Sequence, residues 1–403
     1  MNILYICDEY PPGRHGGIGT SVQVLAREMA RQGHNVVVAG FYDWGYGGED
    51  VFDDQGVKVY RFRRKLASPI FKKQEKLLGK IIYKILNITR IFEADIKASM
   101  KDYARFLENL VREHNIEVAE IPDYLDYVRF CRSYVPFPKL SVPSLIKLNG
   151  SYTYFAREEG SELPQHIWQM DHDHIHAVEK VCGVSKYTAD KTAAYINYDR
   201  PIDVVHNAID TKNYDAVAGT QKKRNKVTYT GTLVRKKGIY QLMQAWNKVI
   251  EQKPGSELWV YGKGDIQKVM ACLAPQAKDT VKFPGHVSRQ ELAVSLAGSN
   301  IAIFPSYAEC FALAPMEAMA CGTTVIFSRR TSGPELIKHN ENGLLVEPDN
   351  IDEMAQSILH LLNNPAECDR LAAKGREHVQ QHLDAKIIAQ QNLEHYSNLV
   401  NKT

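Results

Sequence analysis

Residues 301–322 read IAIFPSYAECFALAPMEAMACG, a strand, a turn and a helix in direct succession. Ile301–Phe304 is a short, continuous apolar run, the pattern of a strand buried on both faces. Pro305-Ser306-Tyr307-Ala308 breaks the run, and a helix follows that Gly322 closes in the usual C-terminal role. Pro315 fits the first turn of that helix, where a missing N–H costs nothing. A strand passing through a turn into a helix places the turn at the carboxyl end of a parallel sheet, where such sheets bind ligands. The leading amides, Phe311, Ala312 and Leu313, then face that end, with Glu309 ahead of the helix and Glu317 about one turn in. Two carboxylates so placed can address different hydroxyls of one polar ligand while the amides between them hold its phosphates. The plainer alternative makes Glu309 a favourable charge near a helix N-terminus and Glu317 a surface residue.

The same alternation runs outward in both directions. Strand candidates in the first half are Ile3–Cys7, Val36–Ala39, Val57–Phe62, Val118–Ile121, Leu145–Leu148 and Val181–Val184. Those in the second half are Val227–Thr230, Leu258–Tyr261, Val281–Phe283, Ile301–Phe304, Thr324–Phe327 and Leu344–Val346. Helical patterns fall between them; one carries Ile18, Val22, Leu25, Ala26 and Met29 on a stripe and is expected to open on a Thr20-x-x-Gln23 capping box. At 403 residues the chain is too long for one ordinary core. The expectation is an α/β protein of two Rossmann-like domains facing across a cleft, 1–200 and 201–383, divided near Asp199-Arg200-Pro201. A last helix over 384–403, capped by Asp384 and striped by Ile387, Ile388, Leu393 and Tyr396, is expected to pack back toward the N-terminal domain.

Composition excludes several classes. Hydrophobic content of 44% and charged content of 24% belong to a soluble globular protein, and a net charge of +3 gives no argument for nucleic acid. The seven cysteines are odd in number and scattered without a CxxC pair, which reads as reduced core cysteines of a cytosolic protein. No run of apolar residues is long enough to span a membrane, and the N-terminus lacks a signal-peptide pattern. His172 and His176 share a helix face within Asp171–His176, but no further ligand group stands nearby, and no functional metal is expected.

Two more stretches could handle an anion. After the first strand, Asp8-Glu9-Tyr10-Pro11-Pro12-Gly13-Arg14-His15-Gly16-Gly17-Ile18-Gly19 leads into a helix, and its glycines let backbone approach a ligand. This is not the dinucleotide fingerprint, because Val22 stands where a small residue is needed. In the second half, Gly231-Thr232-Leu233-Val234-Arg235-Lys236-Lys237-Gly238 puts three cations ahead of a helix start, against that helix's own dipole. Binding an external anion explains the arrangement; a solvated charge run is the alternative. Between Arg61 and Arg90 ten residues are Lys or Arg and only Glu75 is acidic. Apolar residues recur among them at helical spacing, so 61–92 reads as a basic amphipathic helix able to lie on an anionic membrane, or as a helix packed on the domain with a solvated basic face.

Glu309 and Glu317 are separated by seven residues, and the surroundings Pro305-Ser306-x-x-Glu309-x-Phe311 and Glu317-Ala318-Met319-Ala320-x-Gly322 resemble the retaining glycosyltransferases of family four, with their EX7E motif. Pro11-Pro12, Gly16-Gly17, Gly33-His34-Asn35-Val36, Val184-Ser185-Lys186-Tyr187, His206-Asn207-Ala208-Ile209-Asp210, Tyr261-Gly262-Lys263-Gly264 and Asn342-Gly343-Leu344-Leu345-Val346 agree in order and spacing. The resemblance implies the GT-B fold, a nucleotide diphosphate sugar (UDP- or GDP-sugar) bound mainly by the C-terminal domain, retention of configuration, and neither cofactor nor metal. It implies that Lys237 pairs with the donor phosphates, Glu317 binds the ribose, Glu309 touches the sugar, and the amides of Phe311, Ala312 and Leu313 meet the distal phosphate and sugar. Gly16 and Gly17 would approach the donor from the N-terminal domain; Gly231, Thr232, Gly262 and His286 complete the donor-binding set, with the base near Lys263 and 283–287. Three residues depart from the family pattern: Thr232 where an arginine clamps the diphosphate, which leaves Arg235 to substitute; Ala312 where glycine is usual; and Asn149-Gly150 where His-Gly is frequent. Asparagine still exchanges hydrogen bonds but cannot titrate, so Asn149 joins Glu309, Lys237 and Arg235 as a catalytic candidate without being a base. The expected acceptor is a sugar or a lipid-linked glycan of the cell envelope, handled by a cytoplasmic enzyme peripheral to the inner face of the membrane. A soluble acceptor, or a non-catalytic nucleotide-sugar-binding protein, is the alternative.

Overall fold

The computed structural model describes residues 1–13, 15–43, 46, 48–64, 66, 84–285 and 287–401. The chain divides into two compact units, Met1–Ala208 with Ile388–Thr403, and Ile209–Ile387.

The first unit is built on an eight-stranded sheet of order β3-β4-β2-β1-β5-β6-β7-β8. The strands are β1 (Asn2–Ile6), β2 (Asn35–Tyr42), β3 (Val51–Asp54), β4 (Val57–Arg63), β5 (Val118–Pro122), β6 (Ser144–Leu148), β7 (Lys180–Gly183) and β8 (Asp203–Val204). The second unit carries a six-stranded sheet of order β11-β10-β9-β12-β13-β14. Its strands are β9 (Lys223–Thr230), β10 (Glu257–Tyr261), β11 (Val281–Gly285), β12 (Ser299–Phe304), β13 (Thr324–Ser328) and β14 (Leu344–Val346). Within β1, β5, β6, β12, β13 and β14 nearly every residue is buried, because helices cover both faces of each sheet. The α/β alternation therefore reads directly into two sheets that are parallel throughout except at the β3 edge.

Two strands have no counterpart among the apolar runs. β3 pairs antiparallel with β4 across the Gln55-Gly56 turn, and both turn residues have positive φ. Its residues alternate between exposed and half-buried, and half of them are aspartate, so an edge strand hides in a polar segment. β8 is a two-residue exposed edge.

One expected helix start is different. The helix Gly17–Arg31 has Gly16 as its N-cap with no side-chain cap, and Thr20 lies inside it, its hydroxyl bonded back to Gly16 O. Gln23 reaches Asp54 instead of closing a capping box. The cap comes from outside the helix: Glu9, just past β1, accepts the Gly19 N–H at 2.9 Å. A carboxylate on the preceding strand end serves the positive helix terminus better than a hydroxyl one turn in.

The basic stretch is also not uniform. Arg61 is 4% exposed and Arg64 5%. Arg61 lies over the Tyr42, Tyr46 and Phe52 rings and donates to Tyr10 O and Pro12 O. Arg64 lies over Phe92 and Phe130. These two arginines belong to the packing of the first unit and not to a solvated basic face. Residues 65 and 67–83, the centre of that stretch, lie outside the described residues. Among the described residues no helix is long and apolar enough to cross a membrane.

The last helix, Ala385–Val400, places Ala389, Tyr396 and Leu399 in one cluster with Ile3, Tyr5, Val118 and Leu145 of the first unit. Asp384 stands at its start and accepts the Lys386 N–H at 3.0 Å. A polar chain sits inside this apolar contact: Tyr396 Oη donates to Glu120 at 2.5 Å and lies 3.2 Å from Tyr5 Oη, and Lys147 Nζ donates to Asn392 Oδ1 at 3.3 Å. Burial pushes the Glu120 carboxyl up and the Lys147 ammonium down.

Candidate functional site

At the carboxyl ends of β9, β10 and β12 three loops meet backbone to backbone. A Cβ on Gly262 would lie 1.9 Å from Gly231 O, and one on Gly238 would lie 1.9 Å from Pro305 O. All three glycines have positive φ, so only glycine allows this approach. Tyr229 Oη donates to Thr232 O at 3.0 Å, and Leu233 N to Lys263 O at 2.9 Å, which ties the β9 loop to the β10 loop. Arg235–Lys237 forms a short 3₁₀ turn that ends on Gly238 and leads into the helix Ile239–Gln252. That helix is anchored by Leu242, Met243, Trp246 and Val249, all fully buried.

The turn and the β12 loop bring the two central candidates together: Lys237 Nζ donates to Glu309 Oε1 at 2.5 Å. Their side chains are 27% and 14% exposed, so the pair is half-buried and reachable. The helix Leu313–Ala320 begins after Ala312, which provides no side-chain cap, and Pro315 occupies its first turn. Glu317 lies on the inner part of this helix. Burial pushes its carboxyl up, while the charge of Arg289 and a hydrogen bond from Tyr214 pull it back. Glu317 is therefore not a plain surface residue. Sequence reasoning missed Tyr214 and Arg289, because neither stands in a local motif; the tertiary fold alone brings them to Glu317.

Thr232 and Arg235 are exposed on the same loop. The charge of Arg235 is felt at Tyr307 and Asp349. Gly262 N donates to Gly285 O at 3.2 Å, joining the β10 and β11 ends next to His286, which lies outside the described residues.

In the first unit, Gly16 packs against the Glu9 carboxyl group, whereas a Cβ on Gly17 would meet nothing within 4 Å. Glu9 is half-buried, and desolvation pushes its carboxyl up, with the Gly19 and Gly16 amides opposing that shift. The first-turn amides are thus served by a carboxylate of the chain itself. Asn149 follows β6. Its backbone N–H donates to Asp123 Oδ1 at 2.7 Å, that of Gly150 to Asp123 Oδ2 at 3.0 Å, and its side-chain amide to Lys147 O at 3.1 Å. Burial raises the Asp123 carboxyl to about 7. Asp8, which accepts from Phe41 N, is likewise raised to about 7, and Asp171, which accepts from Thr153 N, to about 6. These three aspartates order the loops at the carboxyl ends of β1, β5 and β6, and Asp123 stands in none of the stretches singled out from the sequence.

His172 and His176 stack with ring centroids 4.0 Å apart, but their Nδ1 atoms face Asp173 and the His172 carbonyl. Buried His174 faces Pro122 O and is pushed down to about 4. Among the described residues no three His, Cys, Asp or Glu side chains gather as a metal site would require. The seven cysteines are free thiols, six of them buried. Of the basic stretch, Ile85 and Ile88 are exposed.

Residues 15–213 match the profile described as Glycosyltransferase Family 4, and residues 210–378 that described as Glycosyl transferases group 1. An uncharacterized glycosyltransferase of Methanocaldococcus jannaschii is 25% identical over 379 residues, 90% of each chain. A GDP-mannose-dependent monoacylated alpha-(1-6)-phosphatidylinositol monomannoside mannosyltransferase of Corynebacterium glutamicum is 26% identical over 221 residues, covering 50% of this chain and 58% of that one. Among solved structures, sucrose-phosphate synthase from Thermosynechococcus elongatus superposes with a TM-score of 0.75 at 20% identity, over 100% of both chains.

Proposed function

This chain belongs to glycosyltransferase family four and transfers a sugar from a nucleotide-sugar donor, and we propose that it does so with retention of configuration, without a metal, from a UDP- or GDP-sugar to a lipid-linked glycan or other envelope polysaccharide precursor. The observation that carries this reading is the Lys237–Glu309 pair at 2.5 Å, set beside the uncapped start of the helix Leu313–Ala320.

Transfer breaks the bond from the anomeric carbon to the phosphate oxygen, and the electron pair leaves with the diphosphate. Lys237, Arg235 and the amides of Phe311, Ala312 and Leu313 stabilise that charge where water is scarce, which is usually the largest catalytic contribution. Glu309 holds the sugar and Glu317 the ribose, while Gly231, Thr232 and Gly262 line the nucleotide. The acceptor oxygen bonds to the anomeric carbon on the face the diphosphate leaves, and its proton passes to the departing phosphate oxygen.

Lys237→Ala is expected to lower both transfer and donor hydrolysis by about 10²–10³; near-normal rates across a UDP- and GDP-sugar panel refute the assignment. NMR of the product reads the anomeric configuration, and an inverted linkage refutes retention. The mannosyltransferase of Corynebacterium glutamicum is named for GDP-mannose and a phosphatidylinositol mannoside, which supports a lipid-linked acceptor here and peripheral action at the inner face of the cell membrane. Sedimentation with anionic liposomes tests the contact through 61–92: no binding at low salt rejects it.

A further inference from the structure

We propose that Tyr307 is a positioning residue for transfer, holding the turn of Lys237 and the loop of Glu309 in mutual register through Asp349 and Arg330. The proposal rests on the donor-site reading above and adds residues which that reading does not use.

Tyr307 lies two positions before Glu309 and is tied at both ends. Its backbone N–H donates to Lys236 O at 2.8 Å, which joins the β12 loop to the residue preceding Lys237. Its hydroxyl donates to Asp349 Oδ1 at 2.5 Å, beyond β14. Arg330, beyond β13, donates to Asp349 Oδ2 at 2.6 Å, pairs with Glu347, and lies over the Tyr307 ring with its guanidinium 5.1 Å from the centroid. One residue therefore gathers four strand ends: its backbone reaches the loop after β9 from the loop after β12, and its side chain reaches the residues that follow β13 and β14. The roles in this chain are chemically distinct. The Tyr307 hydroxyl and the Arg330 charge hold the Asp349 carboxyl below the usual carboxylate range. Burial and Asp349 push the Tyr307 phenol up, so it stays a donor to an ionised acceptor. The Lys237–Glu309 contact spans the two loops that Tyr307 joins, and a shift of about 1 Å in a reacting geometry costs about 10²-fold.

The test uses the full chain as wild type, Tyr307→Phe, Asp349→Ala and the double variant. Tyr307→Phe keeps the ring, the backbone bond to Lys236 and the Arg330 contact, and removes only the hydroxyl tie. Hydrogen exchange without nucleotide is expected to speed up about tenfold in peptides spanning 233–238 and 305–312, with faster exchange also around Arg330 and Asp349 and none in the first unit. Turnover is expected to fall about tenfold with the donor KM nearly unchanged, and the double variant to be no worse than the worse single one, because both changes cut the same tie. Unchanged exchange in both peptides overturns the proposal, as do additive losses in the double variant, or a lower Tm with wild-type turnover. A wild-type chain that transfers from neither UDP-glucose nor GDP-mannose counts against the functional reading instead, and the exchange experiment still decides the role of Tyr307.

Discussion

Lys237 and Glu309 share one contact, and this fixes what their substitution should do. A diphosphate that reaches the Lys237 ammonium meets a carboxylate already bonded to it at 2.5 Å. With Lys237 on the donor phosphates and Glu309 on the sugar, as proposed, Glu309 would repel a free nucleoside diphosphate and gain a compensating contact only with a sugar attached. Glu309→Gln keeps size and hydrogen bonding while removing the charge. It is expected to bind UDP or GDP several-fold more tightly in calorimetry, since removing a like charge about 4 Å away at a partly exposed site is worth roughly 1 kcal/mol or more. Transfer from the nucleotide sugar should fall in the same variant. Weaker binding of the free nucleotide would show that the ion pair is not a competitor. The Glu309/Glu317 spacing and the cation run that ends on Lys237 brought both residues under suspicion, but the sign of this effect comes from the contact alone.

At the scale of elements, the carboxyl ends of β5 and β6 are joined by Asp123, whose two oxygens accept the Asn149 and Gly150 amides. Its carboxyl is raised to about 7 in the fold, against about 3.9 in an unfolded chain. Between those values the folded form holds a proton that the unfolded form has lost, so folding takes up a proton and rising pH works against it. The stability of the wild type relative to Asp123→Asn is expected to fall as pH rises from about 4 to about 7 and then to level off, read from denaturant midpoints. A flat difference across that range would remove Asp123 as a titrating tie. The helix stripes and strand runs were legible because burial on one or both faces imposes a period on the chain. The cap of Gly17–Arg31 was not, because Glu9 reaches it from the preceding strand end while Thr20 and Gln23 imitate a local signal. β3 escaped for a related reason: an edge strand needs no apolar run.

At the scale of the molecule, the helix Ala385–Val400 closes the chain against β1, β5 and β6 of the first unit, and Glu120 lies buried beneath it. Tyr396→Phe would leave that carboxylate without its 2.5 Å donor. The expected loss is about 1–3 kcal/mol, measured as a lower unfolding midpoint. Intact secondary structure in the second unit would place the damage in the first, and an unchanged midpoint would mean that Tyr5 or water replaces the bond.

By itself the sequence determined the two α/β halves, the family, and the stretch that carries Glu309 and Glu317, because strand burial, helix periodicity and a fixed spacing are all local properties of the chain. Only the tertiary structure decided that Lys237 bonds Glu309, that Glu9 serves the first helix, that Tyr214 and Arg289 attend Glu317, and that Tyr307 spans four strand ends. Those contacts join residues far apart along the chain. Their partners are chosen by which loops the sheet order sets side by side, and no local pattern of residue types records that choice.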